Sequence, residues 1–214
     1  MLHDMIAWIA SHPRDFEQAA GRHLSLSLTA LAAAIGLAQP LALVLVRHPR
    51  VAGTAIGAVN VLRTIPSLAL LVAFLPLIGT GFLPAVIALT LYGLPAILIN
   101  AYTALREVDP DVVEAGLGQG MTDRQVMRRI RLPLALPVIF AGIRTAAVQI
   151  VSAATLAAFI GGGGLGELIT AGMGTLNIAQ LVVGGLAVAA LAMATELAFA
   201  ALEWRVRRST GAAA

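Results

Sequence analysis

Few side chains in this sequence could do chemistry. Cysteine and lysine are both absent, which removes disulfides, thiolate metal sites and ATP hydrolysis by a P-loop lysine. The four histidines, His3, His12, His23 and His48, form no i, i+4 pair and have no carboxylate cluster beside them, so no zinc or haem site is read from them. Serine and threonine are plentiful, yet no His or Lys base accompanies them within the apolar runs, and they read as helix-to-helix hydrogen-bonding groups rather than nucleophiles. GGGGLG fits G-x-G-x-x-G through Gly161, Gly163 and Gly166, but no strand pattern precedes it and no acidic residue lies about 20 positions on, so it is not read as a dinucleotide site. What remains is electrostatic. Arg63, Arg144 and Glu196 lie inside long apolar runs, where an unpaired charge costs several kcal/mol. Arg144 stands 11 residues after Pro133 and Glu196 stands 9 before Arg205. At a helical rise of about 1.5 Å per residue these are depths of roughly 16 and 13 Å. The two can meet, either as an ion pair fixing the last two runs together or as part of a polar path. Arg63, roughly 20 Å deep when measured from Arg50, is a rival for the same carboxylate.

The elements that must position these charges follow from composition. Of 214 residues 59% are hydrophobic and 12% charged, with a mean hydropathy of +0.90, whereas soluble domains carry about 25% charged residues. The chain reads as an all-α integral membrane protein. Five apolar runs reach the roughly 20 residues that span a bilayer: 24–46, 51–79, 82–104, 134–160 and 177–203. They make residues 24–204 one transmembrane domain, preceded by a mixed segment 1–23 without the order of a cleaved signal and followed by a tail 205–214. Pro40, Pro66, Pro95 and Pro137 fall inside runs and predict kinks. A formal charge of +3 gives no nucleic-acid surface, because the arginines cluster at the ends of runs instead of sharing a face. Ten of the fourteen lie in the segments after runs one, three and five, which places those segments in the cytoplasm and the N-terminus outside. Trp8 and Trp204 sit near opposite interfaces.

The segment 105–133 between runs three and four has a design of its own. Asp109 can cap a helix that opens on Pro110, with Asp111 and Glu114 complementing its positive end. Gly116, Gly118 and Gly120 stop that helix. Thr122 to Gln125 fits a capping box for a second one, which places Val126, Met127 and Ile130 in one apolar patch among Arg124, Arg128 and Arg131 and runs into Pro133. The expectation is two short helices joined by a glycine turn, lying along the membrane and presenting an apolar knob.

The register Glu114-Ala115-Gly116, Gly120, Ile130, Leu132-Pro133 resembles the coupling loop of permease subunits in binding-protein-dependent ABC importers. In that family it is written E-A-A, three residues, Gly, nine residues, Ile, one residue, Leu-Pro; here Gly116 replaces the second alanine. "RTIPSLALL" (63–71), "REVDPDVVEAG" (106–116), "LPLALPVIFAGIRTA" (132–146) and "FIGGGGLG" (159–166) are similar to the osmoprotectant branch, in which many members carry Gln at the position of Arg63. The resemblance implies a permease for glycine betaine, choline, carnitine or proline betaine in the cytoplasmic membrane of a prokaryote. Coupling to a cytoplasmic ATPase would fall to Glu114, Ala115, Gly116, Gly120, Val126, Met127, Ile130, Leu132 and Pro133. The chain itself would be no enzyme and hold no cofactor, since ATP and Mg belong to the separate ATPase. An extracytoplasmic binding protein and a second permease copy, identical or a sister, would complete the transporter. Gly161, Gly162, Gly163, Gly164 and Gly166 read as a close-packed re-entrant turn at the outer mouth, followed by a short helix over "LGELITAGM". Aromatic residues are only 5% of the chain, too few for a cage around a quaternary ammonium, which assigns tight recognition to the binding protein. The other readings are a permease for another small solute such as methionine, and a channel or carrier that needs no ATPase.

Overall fold

The structure is a computed structural model and describes residues 1–209. Of the expected tail, residues 210–214 and the Arg207 side chain lie outside what is described. The described residues form helices α1 (Leu2–Ser11), α2 (Pro13–Arg47), α3 (Pro49–Leu62), α4 (Ser67–Ala73), α5 (Leu75–Ile78), α6 (Phe82–Arg106), α7 (Pro110–Gly118), α8 (Asp123–Val126), α9 (Leu132–Ala153), α10 (Leu165–Gly174) and α11 (Ile178–Ser209). A π-helical segment, Met127–Arg131, joins α8 to α9, and a 3-10 segment, Ala154–Ile160, extends α9. Four helices are long and apolar enough to cross a membrane, five with the bent pair α3 and α4–α5 counted as one. Proline opens α2, α3 and α7 at the position where its missing N–H costs nothing.

α2 runs along α6, and α6 along α9. Ala30, Ala34, Ala38 and Ala42 recur every four residues on α2 and are fully buried, in one core with Leu89, Ile97, Leu98, Ala101 and Leu105 of α6 and Ala146, Ala147 and Ile150 of α9. Small side chains at i, i+4 let backbones approach, which is how helices associate where lipid supplies no hydrophobic drive. The α6–α9 contact shows this most sharply. A Cβ added at Gly142 would lie 2.6 Å from the Asn100 Cβ and 2.9 Å from the Ala96 carbonyl.

Three regions differ from the helices expected of the sequence, each for a backbone reason. The run 51–79 is two helical pieces bent by 97°; Pro66 has no N–H to give and itself stands in extended backbone at φ −58°, ψ 137°, as the cap of α4. Pro40, Pro95 and Pro137, by contrast, sit inside uninterrupted helices. The second loop helix does not stop at Pro133. Asp123–Ile160 is one helical run of 38 residues, and the π segment just before Pro133 supplies the wider turn that spares the carbonyl proline cannot serve. The first long helix begins at Pro13, within the segment expected to precede it.

α11 packs on α10 and α9, yet only 11% of its apolar window is buried by this chain, and Leu186, Met193 and Leu197 stand exposed. Among the described residues no other long helix is so uncovered. Replacing Gly142 with valine should overpack the α6–α9 seam and destabilise the protein by about 1–3 kcal/mol. Gly36→Ala, where an added Cβ meets nothing within 4 Å, should leave thermal unfolding in detergent unchanged or slightly raised. Equal melting temperatures for both variants would mean that the seam is looser than described.

Candidate functional site

At one end of the bundle α7 and α8 form a tight hairpin. The Asp109 carboxylate accepts from the Asp111 N–H at 2.9 Å. Thr122 and Gln125 make the reciprocal capping box, with the Thr122 N–H on Gln125 Oε1 at 2.8 Å and the Gln125 N–H on Thr122 Oγ1 at 3.3 Å. Between them α7 ends in a Schellman closure: the Met121 N–H reaches the Gly116 carbonyl at 3.2 Å and the Gly120 N–H reaches the Leu117 carbonyl at 2.9 Å. That closure needs a left-handed residue, and Gly120 supplies it at φ 80°. Gly116 is buried beneath Ile130, Met121 and Val126; a Cβ there would come within 2.5 Å of Ile130 Cδ1.

The apolar patch is therefore turned differently from the expected knob. Val126 is 3% exposed and, with part-buried Ile130, faces the floor of the hairpin at Gly116, while Met127 and Leu132 pack on the main core. These residues brace the hairpin. The groups it presents outward are Val112 and Leu117, together with exposed Glu114 and Ala115 on α7 and Arg124 on α8. A groove of about 1100 Å³ between the end of α2 and this hairpin is lined by Arg47, Leu117, Arg124, Arg128 and Arg131 among others. Arg131 also donates from Nη1 to the Leu105 carbonyl at 3.3 Å, giving the last turn of α6 a partner and tying it to the base of the hairpin. Pro133 follows, part-buried, at the head of α9.

In the middle of the bundle Arg144 of α9 meets two carboxylates of α11. It pairs with Glu196 through Nη2 and with Glu203 through Nη1, the latter at 3.0 Å. The Arg144–Glu196 contact is the one the sequence depths anticipated. Glu203 was not read as a partner because it lies where run five ends; its position seven residues after Glu196, two helical turns on the same face, was the available signal. Glu203 is buried, while Arg144 and Glu196 are part-buried. Arg63 is not brought to this cluster. It caps α3 at the bend before Pro66, exposed and without a carboxylate partner among the described residues.

At the opposite end the glycine turn links the 3-10 segment to α10. Gly161, Gly163 and Gly164 have φ of 71°, 87° and 96°, a succession only glycine adopts freely. Added Cβ atoms at Gly162 and Gly166 would strike the Ala157 and Ala85 side chains and the Thr155 carbonyl respectively. Two neighbours on α2 hold the turn. Arg22 donates from Nε to the Gly162 carbonyl at 3.2 Å and lies 4.6 Å above the Phe82 ring centroid. His23, fully buried, donates from Nε2 to the Val151 carbonyl at 2.9 Å and accepts the Leu165 N–H on Nδ1 at 3.3 Å. One imidazole thus serves a carbonyl near the end of α9 and an N–H at the start of α10. The sequence reading placed His23 outside the spans and missed this; a lone histidine at the head of a long apolar run was the only signal. Among the described residues no group of three His, Cys, Asp or Glu could hold a metal ion.

Because Glu203 still holds the guanidinium when Glu196 is lost, Arg144→Met should lower the melting temperature in detergent more than Glu196→Gln does. The two carboxylate substitutions should also combine non-additively. Equal losses for Arg144→Met and Glu196→Gln would show that the second carboxylate contributes nothing to the cluster.

A family model described as "Binding-protein-dependent transport system inner membrane component" matches residues 27–208. The choline transport system permease protein OpuBB of Bacillus subtilis is 40% identical over 202 residues, covering 94% of this chain and 93% of that protein. The osmoprotectant import permease protein OsmW of Salmonella typhimurium is 42% identical over 192 residues, covering 87% of this chain and 86% of that one. Among solved structures, an inward-facing conformation of the MetNI methionine ABC transporter superposes with a TM-score of 0.81 at 22% identity, over 91% of this chain and 98% of the matched chain, a likeness of fold alone. A helical bundle with four long apolar helices, five spans with the bent pair counted as one, and a braced hairpin between α6 and α9, matched along nearly its whole length, belongs to the family of binding-protein-dependent transport system inner membrane components, the permease subunits of ABC importers.

Proposed function

We propose that this chain is the membrane-spanning subunit of an importer for osmoprotectants, small zwitterions or cations with a quaternary ammonium group. The observation that carries the reading is end-to-end similarity at about 40% identity to permeases named for choline and osmoprotectants. The likeness to a methionine transporter supports only the shared fold. In this reading the hairpin end faces the cytoplasm, where the exposed Val112 and Leu117, flanked by Glu114 and Arg124, meet a separate ATPase that carries ATP and Mg. The glycine-turn end and the N-terminus face outward, toward a substrate-binding protein that confers most of the selectivity. Uncovered α11 and the broken second span are consistent with a second permease copy, since one chain of five spans cannot enclose a pathway.

The mechanism follows from helix continuity. Closure of the ATPases on ATP moves the hairpin; Val126, Met127 and Ile130 brace it, and Gly116 and Gly120 let it close tightly, so it moves as a body. Because α8, the π segment and α9 are one helical run, that displacement passes through Leu132 and Pro133 into α9 and on to the glycine turn. Alternating access results when the outer turn and the inner hairpin are held by the same helix.

Vesicles containing the permease should accumulate choline or glycine betaine only when ATP, the ATPase and the binding protein are all supplied. Leu117→Asp should leave the protein folded, because the side chain is 44% exposed, yet should uncouple uptake from ATP. A charge in an apolar docking pocket costs a few kcal/mol, roughly a hundredfold in coupling. Uptake by the permease alone, without ATP or ATPase, would show a channel or carrier instead.

A further inference from the structure

α1 meets three kinds of surroundings round one short helix. At about 100° per residue, Met5 and Trp8 share one flank, Leu2, Ile6 and Ile9 fall together on the next, and His3, Asp4 and Ser11 share the third. The bundle holds the first flank. Trp8 is buried in a cluster with Ala19 of α2, Leu165 and Leu168 of α10 and Val183 of α11, and Met5 packs against that cluster. The third flank is polar and exposed. The second is apolar and open: Leu2, Ile6 and Ile9 stand at i, i+4 and i+7 with 71%, 61% and 37% of their surface exposed. Single exposed apolar side chains need no explanation, whereas three at this spacing form a stripe.

Local structure places the helix. His12 leaves the helical region at φ −130°, ψ 50°, and Pro13 then opens α2, so α1 turns back against α2 and α11 at the glycine-turn end of the bundle. Before the turn α1 closes on itself. The Ser11 hydroxyl donates to the Ala7 carbonyl at 2.8 Å and the His12 N–H to the Trp8 carbonyl at 3.0 Å, so two carbonyls of the last turn need no water. Protein, water and an apolar medium are met at once along the rim of a spanning bundle, where the membrane surface reaches it. A protein partner on the stripe is opposed by size, since three side chains supply a small part of the surface, about 800 Å², that each side of a stable protein interface buries.

We infer that α1 is an interfacial helix whose Leu2, Ile6 and Ile9 stripe is set into the bilayer leaflet at the glycine-turn end, among the upper acyl chains, with His3 and Asp4 turned to water. The partner is lipid, and apolar burial drives the contact: α1 contains no arginine or lysine, so it gains nothing from anionic headgroups. α1 precedes the family match, which begins at residue 27. Trp8 shares its cluster with Leu165 and Leu168 in the first turn of α10. The stripe therefore fastens the start of α10 to the membrane surface, while Arg22 and His23 fasten the glycine turn to α2.

Because the chain has no cysteine, a nitroxide can be attached at Ile6→Cys or His3→Cys of the full-length protein, assembled with its ATPase in vesicles. The Ile6→Cys label should collide severalfold more with oxygen, and severalfold less with a water-soluble nickel chelate, than the His3→Cys label. The contrast should be equal in phosphatidylcholine and phosphatidylglycerol vesicles. Adding Leu2→Ser and Ile9→Ser to Ile6→Cys should raise nickel collisions toward those of the His3→Cys label, with the melting temperature in detergent unchanged because both side chains are exposed. Equal nickel access for the two single labels would put the stripe in water and overturn the proposal. An Ile6→Cys label shielded from both reagents, with Ile6→Cys chains cross-linking to each other, would overturn it in favour of a second copy. Shielding confined to phosphatidylglycerol vesicles would overturn apolar burial as the cause. Unchanged label access in the serine variant, or a lowered melting temperature, would mark a packing role within the protein and overturn it as well.

Discussion

A backbone N–H or carbonyl left unpaired in hydrocarbon costs several kcal/mol, and this chain is arranged around that cost. At three places where it leaves the α-helix, an identifiable side chain meets the demand. At the end of α6 the Arg131 guanidinium takes the Leu105 carbonyl. Beyond α9 the helix tightens to 3-10 form, which frees carbonyls from their usual partners, and His23 collects the one at Val151 while also accepting from Leu165. The Gly162 carbonyl is taken by Arg22. Two polar residues of α2, Arg22 and His23, are thus spent on the backbone around the glycine turn.

This accounts for the two ends of the run from Asp123 to Ile160 being held so differently. At the hairpin end the fastening is mostly internal, a capping box, a Schellman closure and apolar side chains folded onto Gly116, with Arg131 reaching the Leu105 carbonyl of α6. At the turn end it is external, made by a neighbouring helix through two side chains. In the proposed mechanism this run would carry displacement, as a rod, from the hairpin toward the turn that α2 holds. It also makes α2 the frame against which that displacement is resisted, consistent with the alanine stripe that seats α2 on α6.

The helical class, the spans and the capped hairpin were legible in the sequence because they rest on local signals: hydropathy over about 20 residues, proline at helix starts, Thr122 paired with Gln125. The Arg144–Glu196 contact was legible too, since depth along a helix is countable. What escaped depends on rotation or tertiary contact. Ile130 lies in an apolar patch whichever way the helix is turned, and only the space left by Gly116 shows that the patch faces inward. The bend at Pro66 and the unbroken helix at Pro133 come from the same residue type. At the first the backbone turns extended at Pro66 itself, with ψ 137°, whereas a π segment precedes the second and the helix runs on. His23 and Glu203 were passed over because each sits at the boundary of an apolar run, where a polar residue looks unremarkable by position alone.

α11 brings these strands together. It is largely uncovered by its own chain, and within its packing on α10, α9 and α1 two contacts stand out. One is the close hairpin with α10, where a Cβ at Gly172 would meet the Leu181 backbone at 2.6 Å and one at Gly184 would meet Ile169 and Leu168 near 3 Å. The other is Arg144, whose guanidinium reaches two carboxylates two turns apart. α10 in turn starts from the glycine turn that α2 holds, while Arg144 rides on α9. One end of α11 therefore follows the framed part of the molecule and its middle follows the rod. In the mechanism proposed above, a movement of α9 relative to α2 would fall on α11, and a fork of two carboxylates would let the guanidinium keep one partner while it shifts against the other. A purely apolar contact at that point would gain nothing from being two turns long, whereas a charge at membrane depth cannot be left unpaired at any stage of the motion.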